Sequence, residues 1–495
     1  MSSVPLAESD RDPLDRSALA LSAALHSGEV DVHEHCARVQ QRAAERSDRI
    51  GAFRHLLPEL TQEQAETAAA RLAAGTAGDL CGVPLPIKEL TRVAGQPWEA
   101  GSALLRGNRA DVTDGVAADL LAAGTLTIGT TTAPEFGMPC YTEPAGVLPA
   151  RTPWDTRRTA GGSSGGSAAA VSAGLVPIAH GNDGGGSIRI PAACCGIVGH
   201  KPSRGAVSPG PHGSEGPGLV TEGILARTVR DVAAGLDVIT TARPGDAMPT
   251  PSGVGALRQS LDGSAPAGLR IGVLLEPLNS EAELHPGALR AVERARELLH
   301  GLGHSTQEIP APFTPQDWRT FMPLWTAGAA AIPIPPEAEG QLMLLTRWLR
   351  EQGRSYSAVD HAAALSGMQR VSRRAGEAFA PFDVILTPTL SGPPAFPADL
   401  QLPDGEADFA AQCEFTPWTA SWNMTGAPAT SVPLHRESID GIELPFGIHL
   451  GGVRIGDDAL LLQLAAQLEA VDPWPLIRPI HGQGPLRPGT DAPHG

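Results

Sequence analysis

The sequence predicts an α/β protein. Two observations carry this: between residues 81 and 302, short apolar runs bounded by Pro or Gly alternate with helical stretches rich in Ala and Leu, and 42% of the 495 residues are apolar, ample for a buried core. In chain order, Asp31 with Glu34 makes a capping-box pattern ahead of Val32, Cys36, Val39 and Ala43, which share one helical face. Thr61 with Gln64 repeats the pattern, and Gly75 supplies a stop. The apolar run 81–88, broken by Pro84 and Pro86, reads as an edge or terminal strand with Lys88 at its end. Residues 116–123 read as a helix that passes through Gly124 into a strand at 125–129. The alanines of 167–173 make a second helix, ended by Gly174 and followed by a strand at 175–179. Residues 240–268, rich in Pro, Gly and Ser, read as a surface excursion; a strand at 270–275 restarts the sheet, and a helix at 286–302 follows. No internal repeat is found.

Composition narrows the partners. A net charge of −17 without any cluster of Lys and Arg excludes a nucleic-acid partner, since phosphate contacts need such clusters. No apolar run reaches the roughly 18 residues of a spanning helix, so no membrane role is expected. The first ten residues lack a basic region and an apolar region, so no secretory signal is read there. Six cysteines (Cys36, Cys81, Cys140, Cys194, Cys195, Cys413) show no paired framework, which fits a reducing cytoplasm.

The chemistry lies in two glycine-serine runs, one spanning 161–167 around Ser163 and one spanning 184–187 before Ser187. A linker is the simple reading of such runs, but the first leads directly into an alanine helix and an apolar strand, as a core turn does. Neither run has the lysine of a phosphate-binding P-loop or the spacing of a dinucleotide fingerprint. Three glycines before Ser187 instead let backbone N–H groups converge on an oxyanion beside the serine hydroxyl, the geometry of acyl transfer. No G-x-S-x-G elbow is present. His180 and His200 flank the site in sequence and read as structural. His33, Glu34 and His35 resemble a metal cluster, but residues two apart on a helix do not share a face, so no metal is expected.

The runs Gly161-Gly162-Ser163-Ser164-Gly165-Gly166-Ser167-Ala168 and Gly181-Asn182-Asp183-Gly184-Gly185-Gly186-Ser187-Ile188-Arg189 resemble the amidase signature, with Lys88 lying 75 residues before Ser163 and Ser187 lying 24 after it. The resemblance extends through Pro153-Trp154-Asp155 and Lys201-Pro202-Ser203 to Asn423-Met424-Thr425-Gly426 and Leu444-Pro445-Phe446-Gly447, nearly the whole chain. It implies a large mixed central β-sheet covered on both faces by helices. One domain would span 13–477, with its catalytic core at about 80–235, a flexible N-terminus at 1–12 and a loosely held tail at 478–495. It also implies roles: Ser187 as nucleophile, Ser163 as proton relay after a cis peptide from Gly162, and Lys88 as base. An ordinary lysine is less than about 1% neutral at pH 7 to 8, so the base needs a strongly lowered pKa, which burial at the end of an apolar run provides. The N–H groups of Gly184, Gly185, Gly186 and Ser187 would hold the oxyanion. Asp183 and Arg189, of opposite charge, would stiffen the turn from behind.

Glu89 stands where the family more often has Asp, and Gly129-Thr130-Thr131-Thr132 where Gly-Lys-Thr-Asn is usual; Thr152 and Ile224 also depart. The segment 135–144 lacks the Met-Gly-Ser-Ser run of the subunit that transamidates charged tRNA. It is similar instead to the branch of nylon-oligomer cyclic-dimer hydrolases and broad amidases. The resemblance therefore implies a cofactor-independent hydrolase of neutral, apolar linear amides, with esters and carbamates as further acyl donors. The alternatives are an amidotransferase subunit with a protein partner and a silent binding protein on the same fold. A homodimer is compatible with either enzyme reading. By family analogy 137–141 and about 318–348 shape the acyl pocket, with Gly137, Met138, Tyr141, Phe321 and Trp325 as its lining and Trp318, Met322 and Trp348 nearby.

Overall fold

Eleven strands among the described residues form two sheets; the computed structural model describes residues 11–214, 216–482 and 486. The small sheet has the order β1-β3-β2, with β1 Phe53–Leu56, β2 Ile87–Lys88 and β3 Gly129–Thr131. The large one has the order β4-β6-β5-β10-β11-β9-β7-β8. Its strands are β4 Ile178–Asp183, β5 Val198–Lys201, β6 Thr221–Ala226, β7 Arg270–Val273, β8 Ser305–Glu308, β9 Val384–Pro388, β10 Ala429–Ile439 and β11 Ile442–Gly452. Pairings are antiparallel from β4 to β9 and parallel around β7, so the sheet is mixed.

Helices cover both faces. Gly447 of β11 lies against Ala193 of the helix Arg189–Cys195, while its neighbour Phe446 presses on Gly287 of the helix Pro286–Gly301. Successive residues of a strand point to opposite faces, so these two helices lie on opposite sides of the sheet. The main core, with Ile178, Ile188, Val198, Ile224, Ile448 and Leu450 fully buried, fills the layers between.

The expected elements recur with shifted bounds, for local reasons. Pro84 and Pro86 cannot donate to a ladder, so the run 81–88 shrinks to a bridge at Pro84 and a two-residue strand at its end. Pro177 likewise delays the strand expected at 175–179 to β4, which runs on to Asp183 and so carries His180 and Asn182. The second capping box does not form: its helix begins at Pro58, and Thr61 donates to the Leu57 and Thr127 carbonyls while Gln64 engages Thr127. Asp31 caps the other helix as expected, accepting from the His33 and Glu34 N–H groups. The excursion 240–268 contains a short helix, Leu257–Ser260.

The expectations of a flexible N-terminus and a loosely held tail fall mostly outside the described residues, over 1–10 and from 483 on, apart from residue 486. The tail's described start is tied down. Arg478 stacks on Trp154 at 4.3 Å and its N–H donates to the Ser172 carbonyl, and the His481 N–H donates to that of Pro153.

Candidate active site

Lys88 ends β2, which runs along the free edge of β4, where the His180 N–H donates to the Pro86 carbonyl, and the Lys88 side chain is wholly buried. Residues two apart on β4 share a face, so His180 and Asn182 both meet it. The Lys88 N–H donates to His180 Nδ1 at 3.4 Å, and Lys88 Nζ lies 2.6 Å from Asn182 Oδ1. From the first glycine-serine run, Ser163 Oγ and Ser164 Oγ reach Nζ at 2.8 and 2.9 Å. The Gly162–Ser163 peptide is cis. A side chain at Gly162 would strike the Tyr141 backbone at under 3 Å, so only glycine fits that turn. Burial pulls the Lys88 pKa from 10.5 to about 7, against the opposing pull of the nearby carboxylates Glu222, Asp183 and Glu89. Glu89, equally buried, accepts from the Ala133 N–H, and burial raises it to about 7.

Ser187 begins the helix side of the second run and is half-buried. Its carbonyl accepts from the Ser164 N–H at 3.1 Å, which ties the two runs together. Asp183 and Arg189 clamp the turn. Arg189 donates to both Asp183 oxygens at 2.8 and 2.9 Å, to Asn423 Oδ1 and to the Thr419 carbonyl, and Asn423 Nδ2 returns a bond to Asp183. Burial alone would raise Asp183, but the Arg189 guanidinium and further donors hold its carboxyl well below the usual range.

One group of the expected oxyanion set is otherwise engaged. The Gly186 N–H donates to Asp183 Oδ1 at 2.7 Å, and the Ile188 N–H donates to Oδ2, because the carboxylate sits inside the turn. No described hydrogen bond occupies the N–H groups of Gly184, Gly185 and Ser187. Gly186 holds φ at +132°, and a Cβ there would meet Thr419 Oγ at 2.4 Å; that hydroxyl donates to the Gly185 carbonyl and fixes the turn.

Two cavities meet at Ser187. The narrower is apolar, lined by Met138, Ile190, Trp318, Phe321, Trp325 and Phe409. The wider, about 520 Å³, takes in Leu90, Gly137, Met138, Ser163, Ser187 and Trp325. Gly137, Met138, Phe321 and Trp325 each line one or both of these cavities. Tyr141 does not: it is buried behind the wall, its hydroxyl donating to Asp408 at 2.7 Å. Met322 and Trp348 line a separate outer groove, with Trp348 against Phe409. Sequence reasoning missed Ser164 and Asn182 at Lys88, and Phe409, Gln412 and Cys413 on the helix Gly405–Phe415. Gln412 accepts from the Cys140 N–H at 2.7 Å, but nothing in a helix some 270 residues away marks it as a pocket wall.

His200 is wholly buried between Thr430 and Asp458, away from the two serines. His33 and His35 hold no metal cluster with Glu34, and no group of metal-binding side chains occurs among the described residues. No described helix is long and apolar enough to cross a membrane, and all six cysteines are free thiols.

Known proteins resemble this chain over most of its length. The family model described as Amidase matches residues 34–461. The 6-aminohexanoate-cyclic-dimer hydrolase of Paenarthrobacter ureafaciens is 34% identical over 431 residues, covering 81% of this chain and 85% of that protein. A solved structure of 6-aminohexanoate cyclic dimer hydrolase complexed with substrate superimposes with a TM-score of 0.86 at 29% identity, covering 94% of this chain and 99% of the other. A bacterial aryl acylamidase of the amidase signature family shares the fold, with a TM-score of 0.82 at 24% identity over 94% of this chain and 98% of that one.

Proposed function

The chain belongs to the amidase family, a hydrolase acting on carbon–nitrogen bonds, and from that premise we propose that it cleaves neutral, apolar amides through an acyl-enzyme on Ser187. The observation that carries the reading is the contact of a buried, readily deprotonated Lys88 with Ser163, in a cleft that Ser163 shares with Ser187.

Valence accounting gives the proton path a direction. Neutral Lys88 has two N–H bonds and one lone pair. Asn182 Oδ1 can only accept, and Ser164 Oγ turns its own proton toward the Asn182 carbonyl at 3.3 Å, so both N–H bonds are used there. The lone pair is left for the Ser163 hydroxyl. Lys88 takes the Ser163 proton as Ser163 takes that of Ser187, and Ser187 Oγ bonds to the amide carbon. The oxyanion is held by N–H groups among Gly184, Gly185 and Ser187. Collapse expels the amine, whose nitrogen receives the proton back from Lys88 through Ser163. Water then repeats the sequence on the ester and releases the acid.

The apolar cavity beside Ser187, walled by Trp318, Phe321, Trp325 and Phe409, suits an aryl or aliphatic acyl group. Aryl amides, aliphatic amides, esters and carbamates assayed with wild type and Ser187→Ala test the reading. Hydrolysis of apolar amides that disappears in the variant is expected; turnover by a folded Ser187→Ala protein contradicts it.

A further inference from the structure

We propose that the leaving-amine side of the site carries an anionic subsite, built on Glu222, for amines that bear a second, protonated nitrogen. The inference rests on the acyl-enzyme reading above. The returning proton passes through Ser163, so the leaving nitrogen lies on Ser163's side of Ser187. Ser163 lines the wide cleft and not the apolar cavity, which leaves the apolar cavity to the acyl group and directs the amine toward Leu90, Asn182 and Val220.

Those three residues also line an adjoining cleft of about 340 Å³, and Glu222 is part of its wall. Glu222 of β6 stands opposite Asn182 of β4 in register, so both side chains project from the same face, about 5 Å apart at their Cβ atoms. The carboxylate is held and partly open. Its Oε2 accepts from His180 Nε2 at 2.8 Å, and its side chain remains 21% exposed. His180 is fixed from the other side: its Nδ1 accepts the Lys88 N–H at 3.4 Å, which leaves Nε2 to donate to Glu222.

Among the described residues the other ionic groups of this cleft are Arg92, Asp114 and Arg204. Arg92 pairs with Asp114 at 2.7 Å, and Arg204 donates to the carbonyls of Gly218, Asn423 and Met424. Asp183 and Glu89, the other carboxylates near Lys88, are wholly buried. Among the described residues Glu222 is thus the carboxylate that an ammonium group in the cleft can approach, and its charge also acts on Lys88.

The test compares two amides of one apolar acid, the n-pentylamide and the monoamide of 1,4-diaminobutane, which differ by a terminal methyl against an ammonium group. Wild type is expected to favour the cationic amide in kcat/KM by about fivefold, the upper range for a partly exposed charge pair. In Glu222→Gln that ratio falls to about one; any effect of the substitution on Lys88 acts on both substrates and cancels in the ratio. In wild type the ratio also falls as salt rises, through screening, which needs no variant. A wild-type ratio of one or less, or a ratio unchanged by both salt and Glu222→Gln, overturns the subsite. Hydrolysis of the pentylamide, lost in Ser187→Ala, stands apart as the check on the underlying reading; failure to hydrolyse either amide overturns both.

Discussion

Replacing Lys88 with Met tests whether the base is neutral in the folded protein. Met has nearly the same length and no charge, so it removes the titration and keeps the volume. The unfolded lysine binds a proton up to its ordinary value of 10.5, whereas burial lowers the native value to about 7. Within that window the unfolded chain holds one more proton than the native one, so raising the pH stabilises wild type relative to the variant. The slope for one proton is about 1.4 kcal/mol per pH unit, and the full window is worth about 5 kcal/mol. The bonds to Ser163, Ser164 and Asn182 are lost in the variant at every pH, so they drop out of the slope. Other titrating groups are common to both proteins. Native Lys88 is half protonated at pH 7, so urea unfolding of both at about pH 7 and pH 9 should show wild type gaining about 2 kcal/mol on the variant. The variant should also be inactive. A stability difference that stays constant between the two pH values means that native Lys88 keeps its proton, and refutes the neutral-base mechanism.

Asp183→Asn strands the Arg189 guanidinium without its counter-charge and turns the acceptor of one of two turn N–H groups into a donor, so thermal unfolding should report a loss of about 3 to 5 kcal/mol together with lost activity. Trp325→Ala removes a wall common to both cavities beside Gly185. It should lower kcat/KM for large apolar acyl groups about tenfold, from some 1.5 kcal/mol of lost apolar contact, and leave acetamides nearly unaffected in an acyl-length series.

The candidate triad was readable only through the resemblance of the two glycine-serine runs to the amidase signature; glycine spacing alone pointed to serine chemistry and named no base. Its supports were not. Ser164 and Asn182 sit in the quoted motifs, yet their use as acceptors for Lys88 follows only from β2 meeting β4, a long-range contact with no local pattern. Gly186 looked equivalent to its neighbours until the Asp183 carboxylate was seen to turn inward and claim its N–H. Tyr141 was assigned to the pocket as an aromatic in the right segment, but its hydroxyl needs a buried partner and finds Asp408 behind the wall. Thr61 and Gln64 carry a capping pattern and are used to hold residue 127 of the neighbouring segment instead, since a tertiary partner outcompeted the local one. The alternation that predicted an α/β fold was sound, while strand bounds moved wherever proline denied the ladder a donor.

The central claim is a covalent acyl group on Ser187, and peptide mapping by mass spectrometry after brief reaction with a slowly deacylating aryl ester tests it most directly. The account predicts a single acyl mass on the peptide containing Ser187, absent in Ser187→Ala and greatly reduced in Lys88→Met. Acylation of any other residue during productive turnover, or turnover with Ser187 never modified, contradicts it.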